Sequence, residues 1–463
     1  MSIRAWAALC AAIIVIFSAD PVLAQGKKAG GNPSAKSHKG VFYANDFSYL
    51  NDPSYHGNSL GDALKLMPVA GGDWGTLDIG GQLRLRYHGE KGMGRENAAT
   101  TPRFQDTNND FLLTRLRLYA NWKINDRVRV FAEGIYADAT DDGGDYFVRG
   151  IDENRGDFLN LFVDLKLTDN LTARLGRQEL LYGTERVVSP LDWANTRRTF
   201  DGVKLLYKEG DLAVDTFFTY FVPVDAGNFD ESGDNQAFYG SYATYTGYEN
   251  FNVDAYYLGY DNQNPGSDFS LHTLGMRLNG SMGDWLWDME GGPQFGRQSG
   301  LGLDHSAGFA TAGIGRRVQS LPGSTTIWFY YDYASGNTPN GDFNNFNQLF
   351  PLAHKYLGFI DAVQRTNIQS PNILLTMKPG PKWNLLLWYW HFMSDTAAPV
   401  PSIGNTPAQT ASRNFGDELD IILKRTISPR SNVLIGWSHL WQGNKIIGTN
   451  DADFVYGQYT LNF

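Results

Sequence analysis

Cysteine is almost absent from the sequence. The single thiol, Cys10, lies among the first two dozen residues and follows Leu9, where a lipoprotein cleavage site needs a small residue. One cysteine can form neither an internal disulfide nor a cysteine-based metal site. Disulfides and cysteine-based metal sites are therefore not expected to stabilise the fold.

Long apolar runs are also missing. After Ala24 no segment approaches the roughly eighteen consecutive apolar residues that a transmembrane helix needs. Hydrophobic residues nevertheless make up 42% of the chain, and aromatic residues 14%. A membrane β-barrel has such a composition, because only every second residue of each strand faces lipid.

Signals of catalysis are lacking as well. The segment Gly436–Leu440 lacks the closing glycine of a nucleophile elbow, and the eight histidines are scattered singly. We therefore predict no enzymatic activity, no cofactor and no catalytic or metal site. The acidic loop Asp138–Asp145 has ligands suited to Ca²⁺ but is more typical of a solvated loop. The net charge of −10 argues against a nucleic-acid partner.

The first residues have the features of an export signal. Arg4 supplies a positive charge, and a short apolar run follows at 7–19. We predict a signal peptide over residues 1–24. Residues 25–75 are predicted to be an N-terminal periplasmic segment, partly disordered, with one short helix at Leu60–Met67.

Amphipathic strands begin at Thr76. Apolar and polar residues alternate with the period of two that a strand imposes, over segments about as long as tilted membrane strands. The alternation predicts eighteen strands, at 76–88, 110–124, 127–138, 157–168, 170–181, 199–208, 211–222, 236–246, 250–261, 268–280, 284–296, 304–317, 324–335, 367–378, 382–393, 415–427, 430–441 and 453–463.

The connections between these strands alternate in length. Tight turns rich in Gly, Pro, Asn and Asp follow the even-numbered strands, and longer loops mostly follow the odd-numbered ones. Short periplasmic turns and long external loops are typical of outer-membrane barrels. We therefore predict an all-β fold in which residues 76–463 form a transmembrane antiparallel barrel, surrounded by the lipids of a bacterial outer membrane.

The last strand carries a further signal. Its apolar residues share one face, and the chain stops on an aromatic residue, Phe463. This pattern resembles the closing-strand signal that the barrel assembly machinery recognises, so we predict that machinery as a partner. The face consists of Val455, Gly457, Tyr459, Leu461 and Phe463.

The same alternation assigns the two faces of the other strands. On the segment 157–168 it places Leu159 and Leu161 against lipid, and Asn160 and Asp164 in the lumen. Several tryptophans of the strand segments are expected to anchor at lipid headgroups. The strand tryptophans are Trp285, Trp287, Trp383, Trp388 and Trp437.

Basic residues recur on the inward faces. They are Arg84, Arg86, Arg115, Arg117, Arg129, Arg174, Lys204 and Arg277. Such a wall attracts anions, which is the preferred interpretation. The alternative is a ladder that braces the wall through ion pairs with inward carboxylates. Those carboxylates are Asp78, Glu133, Asp164, Asp288, Glu290, Glu418 and Asp420.

Two segments resemble the outer-membrane alginate export family. The first comprises Arg174–Arg186, Pro190–Trp193 and Arg197–Val203; the second comprises Tyr331–Gly336, Phe346, Phe350–Pro351, His354–Gly358 and Asp361. The resemblance covers 76–463 and implies an eighteen-stranded barrel whose arginine-lined lumen passes an acidic polysaccharide. The arginines it assigns to the lumen are Arg84, Arg115, Arg117, Arg129, Arg174, Arg197 and Arg198. The alginate exporter itself carries a long periplasmic loop where this chain has only a very short turn, between 427 and 430.

These features together predict a passive outer-membrane channel for an anionic, alginate-like polysaccharide or for small anions. The predicted pore lining consists of the basic residues named above, including Arg197 and Arg198, together with Glu133 and Asp164. The alternative is a structural or adhesive barrel without transport, plugged by the loops 182–198 and 336–366.

Deletion of Phe463 tests the assembly signal. We expect the truncated chain to be degraded or retained in the periplasm, because the closing strand loses its terminal aromatic residue. Fractionation and immunoblotting measure this. A truncated chain that reaches the outer membrane at the normal level would contradict the prediction.

Overall fold

A closed β-barrel is the main feature of the computed structural model. The residues that the structure describes are 32–93, 103–104, 107–140, 148–339, 341–401, 408–447 and 451–463. The predicted signal peptide, with Cys10, and residues 141–145 of the acidic loop Asp138–Asp145 lie outside the described residues. Among the described residues, no helix is long and apolar enough to cross a membrane.

Eighteen antiparallel strands form the barrel. They are β1 (Thr76–Lys91), β2 (Asn108–Lys123), β3 (Val128–Ala139), β4 (Asn154–Lys166), β5 (Leu171–Gln178), β6 (Thr199–Glu209), β7 (Leu212–Val222), β8 (Gln236–Tyr245), β9 (Phe251–Asn262), β10 (Phe269–Met282), β11 (Trp285–Gln298), β12 (Leu303–Arg317), β13 (Thr326–Ala334), β14 (Ile368–Met377), β15 (Trp383–Met393), β16 (Asn414–Ser428), β17 (Ser431–Gln442) and β18 (Ala452–Asn462). The predicted fold is confirmed, and every strand boundary lies within three residues of its predicted position.

Pairing of the first and last strands closes the barrel. Residues of β18 pair with β1 from Asp453 opposite Lys91 to Asn462 opposite Gln82. Gly81 and Phe463 then exchange two backbone hydrogen bonds of 3.0 Å. This pairing leaves no open edge between the first and last strands. A membrane barrel needs such closure, because backbone groups in lipid can find hydrogen-bond partners only within the barrel.

The barrel has two different ends. One end carries the C-terminus and short connections such as 210–211 and 429–430, and we call it the turn end. The other, the loop end, carries long connections that include 179–198 and 335–367. The alternation of loop length therefore follows the prediction.

The outer face is apolar. On β2, Leu118 is 50% exposed, whereas Arg115 and Arg117 on the alternate positions are 1% exposed. On β13, Phe329 and Tyr331 also point outward. Alternation along the strands therefore separates a lipid-facing surface from an inner face, as predicted, and on β2 the inner face carries arginines.

One sequence prediction about side-chain direction is wrong. Leu159 is buried because the pairing of β3 with β4 passes from Glu133–Asn160 to Gly134–Phe158, so a bulge at Leu159 reverses the alternation. Of the five strand tryptophans, several of which were expected at lipid headgroups, Trp388 faces the lumen. It is 4% exposed, because its side chain lies on the inward face of β15.

Leu116 on β2 tests the assignment of the outer face. A Leu116→Arg variant should lose roughly 2–4 kcal/mol of folding free energy, because a charge enters the hydrocarbon region. Urea titration of the heat-modifiable barrel band on gels measures this, with Leu116→Met as the matched control. If the arginine variant were as stable as that control, the register of β2 would be shifted by one residue.

Candidate functional site in the barrel lumen

The N-terminal segment 32–75 enters the lumen at the turn end. Its rings Phe42 and Phe47 pack on an aromatic cluster of β2, β3 and β4. A two-residue strand, Met67–Pro68, then pairs with the start of β1. The cluster consists of Tyr119, Phe131 and Phe162.

The helix predicted at Leu60–Met67 is reduced to one 3₁₀ turn, Asp62–Leu64. Gly61 precedes it with φ +84°, and a Cβ there would overlap the backbone of Phe463. Only glycine fits this close approach at positive φ. The segment therefore packs against the C-terminus and turns towards β1 instead of continuing as a helix.

Arg430 fastens this segment to the wall. It lies in the connection between β16 and β17 and is 2% exposed. Its guanidinium donates to Asp62 Oδ1 and Tyr49 OH at 2.7 Å each, and to the Ser34 carbonyl at 3.1 Å. His38 Nδ1 accepts from it at 2.6 Å. Burial, together with the charge of Arg430, lowers the pKa of His38 to about 3, so the ring stays a neutral acceptor.

The loop 179–198 folds inward against the arginines of β1 and β2. Arg115 forms an ion pair with Asp192 at 2.8 Å. Arg84 donates to the carbonyls of Asp192 at 2.6 Å and Ala194 at 2.9 Å. Arg197, within the loop, pairs with both Asp192 and Glu179. The predicted cations of this wall thus position a loop.

The loop 335–367 folds inward from the opposite side. Its buried rings, Phe346 and Phe350 among them, pack on apolar residues of the inner wall. Val188 and Phe350 form a parallel bridge between the two loops. Arg198 donates to the carbonyls of Ser189 at 3.2 Å and Pro351 at 3.4 Å. We call the two loops together the diaphragm, because they join across the lumen.

A stacked group lies at the centre of the diaphragm. The rings of Trp193 and His354 are 3.5 Å apart and nearly parallel, and the Arg86 guanidinium lies 3.8 Å from the Trp193 ring. Burial lowers the pKa of His354, although the nearby Asp361 carboxylate opposes this shift. Nδ1 of His354 lies 2.9 Å from Asp361. The predicted Arg86 therefore contacts an aromatic ring of the loop.

The remaining predicted residues form ion pairs along the inner wall. The pairs are Arg117–Glu133 at 2.6 Å, Arg174–Asp164 at 2.8 Å, Arg129–Asp164, Lys204–Asp215 at 3.2 Å, Arg277–Asp288 at 2.9 Å and Arg277–Asp254 at 3.3 Å. All of these side chains face inward. Such pairs have the geometry of a bracing ladder.

Sequence analysis missed two further arginines that the loops supply, Arg186 and Arg365. Arg186 pairs with Asp288 at 2.6 Å and Glu290 at 3.2 Å. Arg365 pairs with Asp332 on β13 at 2.8 Å. Arg186 joins the loop 179–198 to β11, and Arg365 holds the loop 335–367 to the strand that precedes it. No local sequence pattern indicates these contacts, because both arginines lie in connections.

An open cavity lies between the diaphragm and the turn end. It has a volume of about 820 Å³, and we call it the vestibule. In the part of the chain that the structure describes, five cationic side chains line it, against the single carboxylate of Asp192. The cations are Arg84, Arg317, Lys355, Lys378 and Lys424.

The three lysines differ from the buried arginines. Lys355, Lys378 and Lys424 are exposed to the vestibule and form no ion pair with any described residue. Lys378 and Lys424 continue the inward alternation of β14 and β16, so the pattern that indicated the arginines also contained them.

Among the described residues, no group of three or more His, Cys, Asp or Glu side chains could hold a metal ion.

Solved structures with a similar fold are outer-membrane proteins. OpdK of Pseudomonas aeruginosa, solved with vanillate, is 13% identical and has a TM-score of 0.57, over 83% of this chain and 98% of that chain. A BenF-like porin from Pseudomonas fluorescens Pf-5 is also 13% identical, with a TM-score of 0.58, over 84% and 99%. No curated protein matches the chain. At this identity the similarity concerns the fold.

Sequence comparison identifies the family. The alginate export profile matches residues 76–457, from the first residue of β1 into β18. The segments that carry the resemblance include most of the diaphragm, together with Arg174, Arg197 and Arg198. The chain belongs to the alginate export family, and it is a β-barrel of the bacterial outer membrane.

Proposed function

We propose that this protein is a passive outer-membrane channel for anionic solutes, with carboxylated saccharides as the favoured class. Membership of the alginate export family and the porin-like fold support a channel. The observation that carries the preference for anions is the vestibule, with its five cations and one carboxylate. In this proposal the turn end faces the periplasm, as short connections do in outer-membrane barrels.

The vestibule lysines supply the accessible positive charge. A charge within a protein cavity is screened less than one on an open surface, where the Debye length is about 8 Å at physiological ionic strength. The buried arginines contribute less, because carboxylates and carbonyl oxygens of the diaphragm compensate them. Selectivity should therefore depend on Lys355, Lys378 and Lys424 more than on the arginine wall.

A plugged structural barrel is the second candidate. Its support is that the diaphragm and the N-terminal segment occupy much of the lumen. Single-channel recording in planar bilayers separates the two candidates, because a plugged barrel conducts no current. Regular conductance steps support the channel, and their absence in correctly folded protein supports the plugged barrel.

Replacement of the three vestibule lysines tests the proposed selectivity. The wild type should prefer Cl⁻ to K⁺, and the triple variant Lys355→Gln, Lys378→Gln and Lys424→Gln should shift the reversal potential in a KCl gradient towards cations. The shift should shrink at about 1 M salt, where the Debye length is about 3 Å.

A matched control removes three charges from the outside of the same end. Arg316 and Arg425 lie over the rings of Trp285 and Trp383, and Lys382 is exposed in a turn. Glutamine at these three positions should leave the reversal potential unchanged. An unchanged reversal potential in the vestibule variant itself would contradict the proposal.

A further inference from the structure

A second cavity of about 460 Å³ lies on the inner wall between β9 and β13, near the turn end. Its size is within the range of roughly 300–1,000 Å³ that is typical of small-molecule sites. The aromatic side chains Trp328 and Tyr330 line one side. The amide side chains Asn252 and Asn279 line the other.

The two rings are arranged as a platform. Trp328 and Tyr330 are adjacent inward residues of β13, with ring centroids 5.2 Å apart and an angle of 17° between the planes. Gly315 and Gly313 of β12 lie directly opposite them in the sheet. A Cβ at either glycine would overlap the facing ring, so each ring lies against bare backbone. Because Gly313 and Gly315 have no side chains, the two rings can lie along the wall of the cavity.

The two amides are free to bind a ligand. Asn252 and Asn279 are cross-strand partners on β9 and β10. Neither side chain forms a hydrogen bond with another described residue, although each amide offers two donors and an acceptor oxygen. The cavity therefore combines an apolar surface with neutral hydrogen-bonding groups.

The charges around this cavity leave no cation available for a carboxylate, so a solute would bind here through its neutral groups. Arg277 is the only cation among the described residues that line it, and Asp254 and Asp288 already pair with it at 3.3 and 2.9 Å. Glu249 also lines the cavity and adds a negative charge. A planar aromatic carboxylate would stack on the rings but would find no unpaired cation among the lining residues.

We infer that this cavity is a saccharide-binding subsite. A pyranose ring has an apolar face of C–H groups and an edge of hydroxyls, which match the aromatic platform and the amide pair. The C–H face lies on Trp328 and Tyr330, and the hydroxyls bond with Asn252 and Asn279. The subsite rests on the proposed channel function, because the solute reaches it from the lumen.

The subsite is the uncovered end of a longer aromatic row. Tyr330 is followed by Trp388 at 6.3 Å, Trp390 at a further 4.4 Å and Phe392 at a further 5.9 Å between ring centroids. These three rings are at most 4% exposed. Trp328 and Tyr330 are thus the part of the row that a solute meets first from the turn end.

Calorimetry with a neutral saccharide tests this inference without any need for conduction. Maltohexaose should bind the detergent-solubilised full chain, and Trp328→Ala and Tyr330→Ala should each weaken binding about tenfold, as expected for the loss of one aromatic contact. Trp328→Phe keeps a ring and should retain most of the affinity. Asn279→Leu should weaken binding without removing the platform.

The controls separate the subsite from the proposed anion channel. Phe329→Ala, on the outward face of the same strand, should leave maltohexaose binding unchanged. The vestibule lysine variant should bind maltohexaose normally even if it loses anion selectivity. Absence of maltohexaose binding to the wild type, or equal binding by the folded Trp328→Ala and Tyr330→Ala variants, would overturn the subsite. Binding of benzoate in place of maltohexaose would overturn it in favour of an aromatic acid.

Discussion

The rest of the structure depends on the compensation of charges buried inside the barrel. A guanidinium taken out of water without a partner costs several kcal/mol, so every inward arginine needs a carboxylate, carbonyl or aromatic neighbour. Neighbouring strands satisfy some of them, as Glu133 does for Arg117. The inward loops satisfy others, as Asp192 does for Arg115. The wall therefore specifies how the diaphragm folds.

This compensation divides the lumen cations into two groups. Arginines such as Arg115 and Arg197 are buried and hold the diaphragm in place. Lysines such as Lys424 face the vestibule without an ion pair to a described residue. Residues that hold the diaphragm are thus distinct from the residues to which we assign selectivity, although both groups face the interior of the barrel.

Much of the fold could be predicted from the sequence, because the alternation of lipid-facing and lumen-facing residues is local and has a period of two. It failed at Leu159, where a bulge adds one residue. The inward direction of Arg84 and Arg115 was predictable for the same reason. Their partners were not, because Asp192 and Ala194 lie in a loop whose path depends on contacts distant in sequence. The contacts of Arg430 with the N-terminal segment were not predicted, because residues in turns usually face solvent.

Site-specific thiol labelling tests the central claim. This claim is that the vestibule is open to solvent, whereas the diaphragm covers the inner wall of the barrel on the loop-end side of the vestibule. Lys424 and Ser438 both face inward, but Lys424 is exposed and Ser438 is 0% exposed. In a background without Cys10, a Lys424→Cys variant should react rapidly with an anionic methanethiosulfonate, and a Ser438→Cys variant should be protected. Equal reaction rates at the two positions would contradict the account.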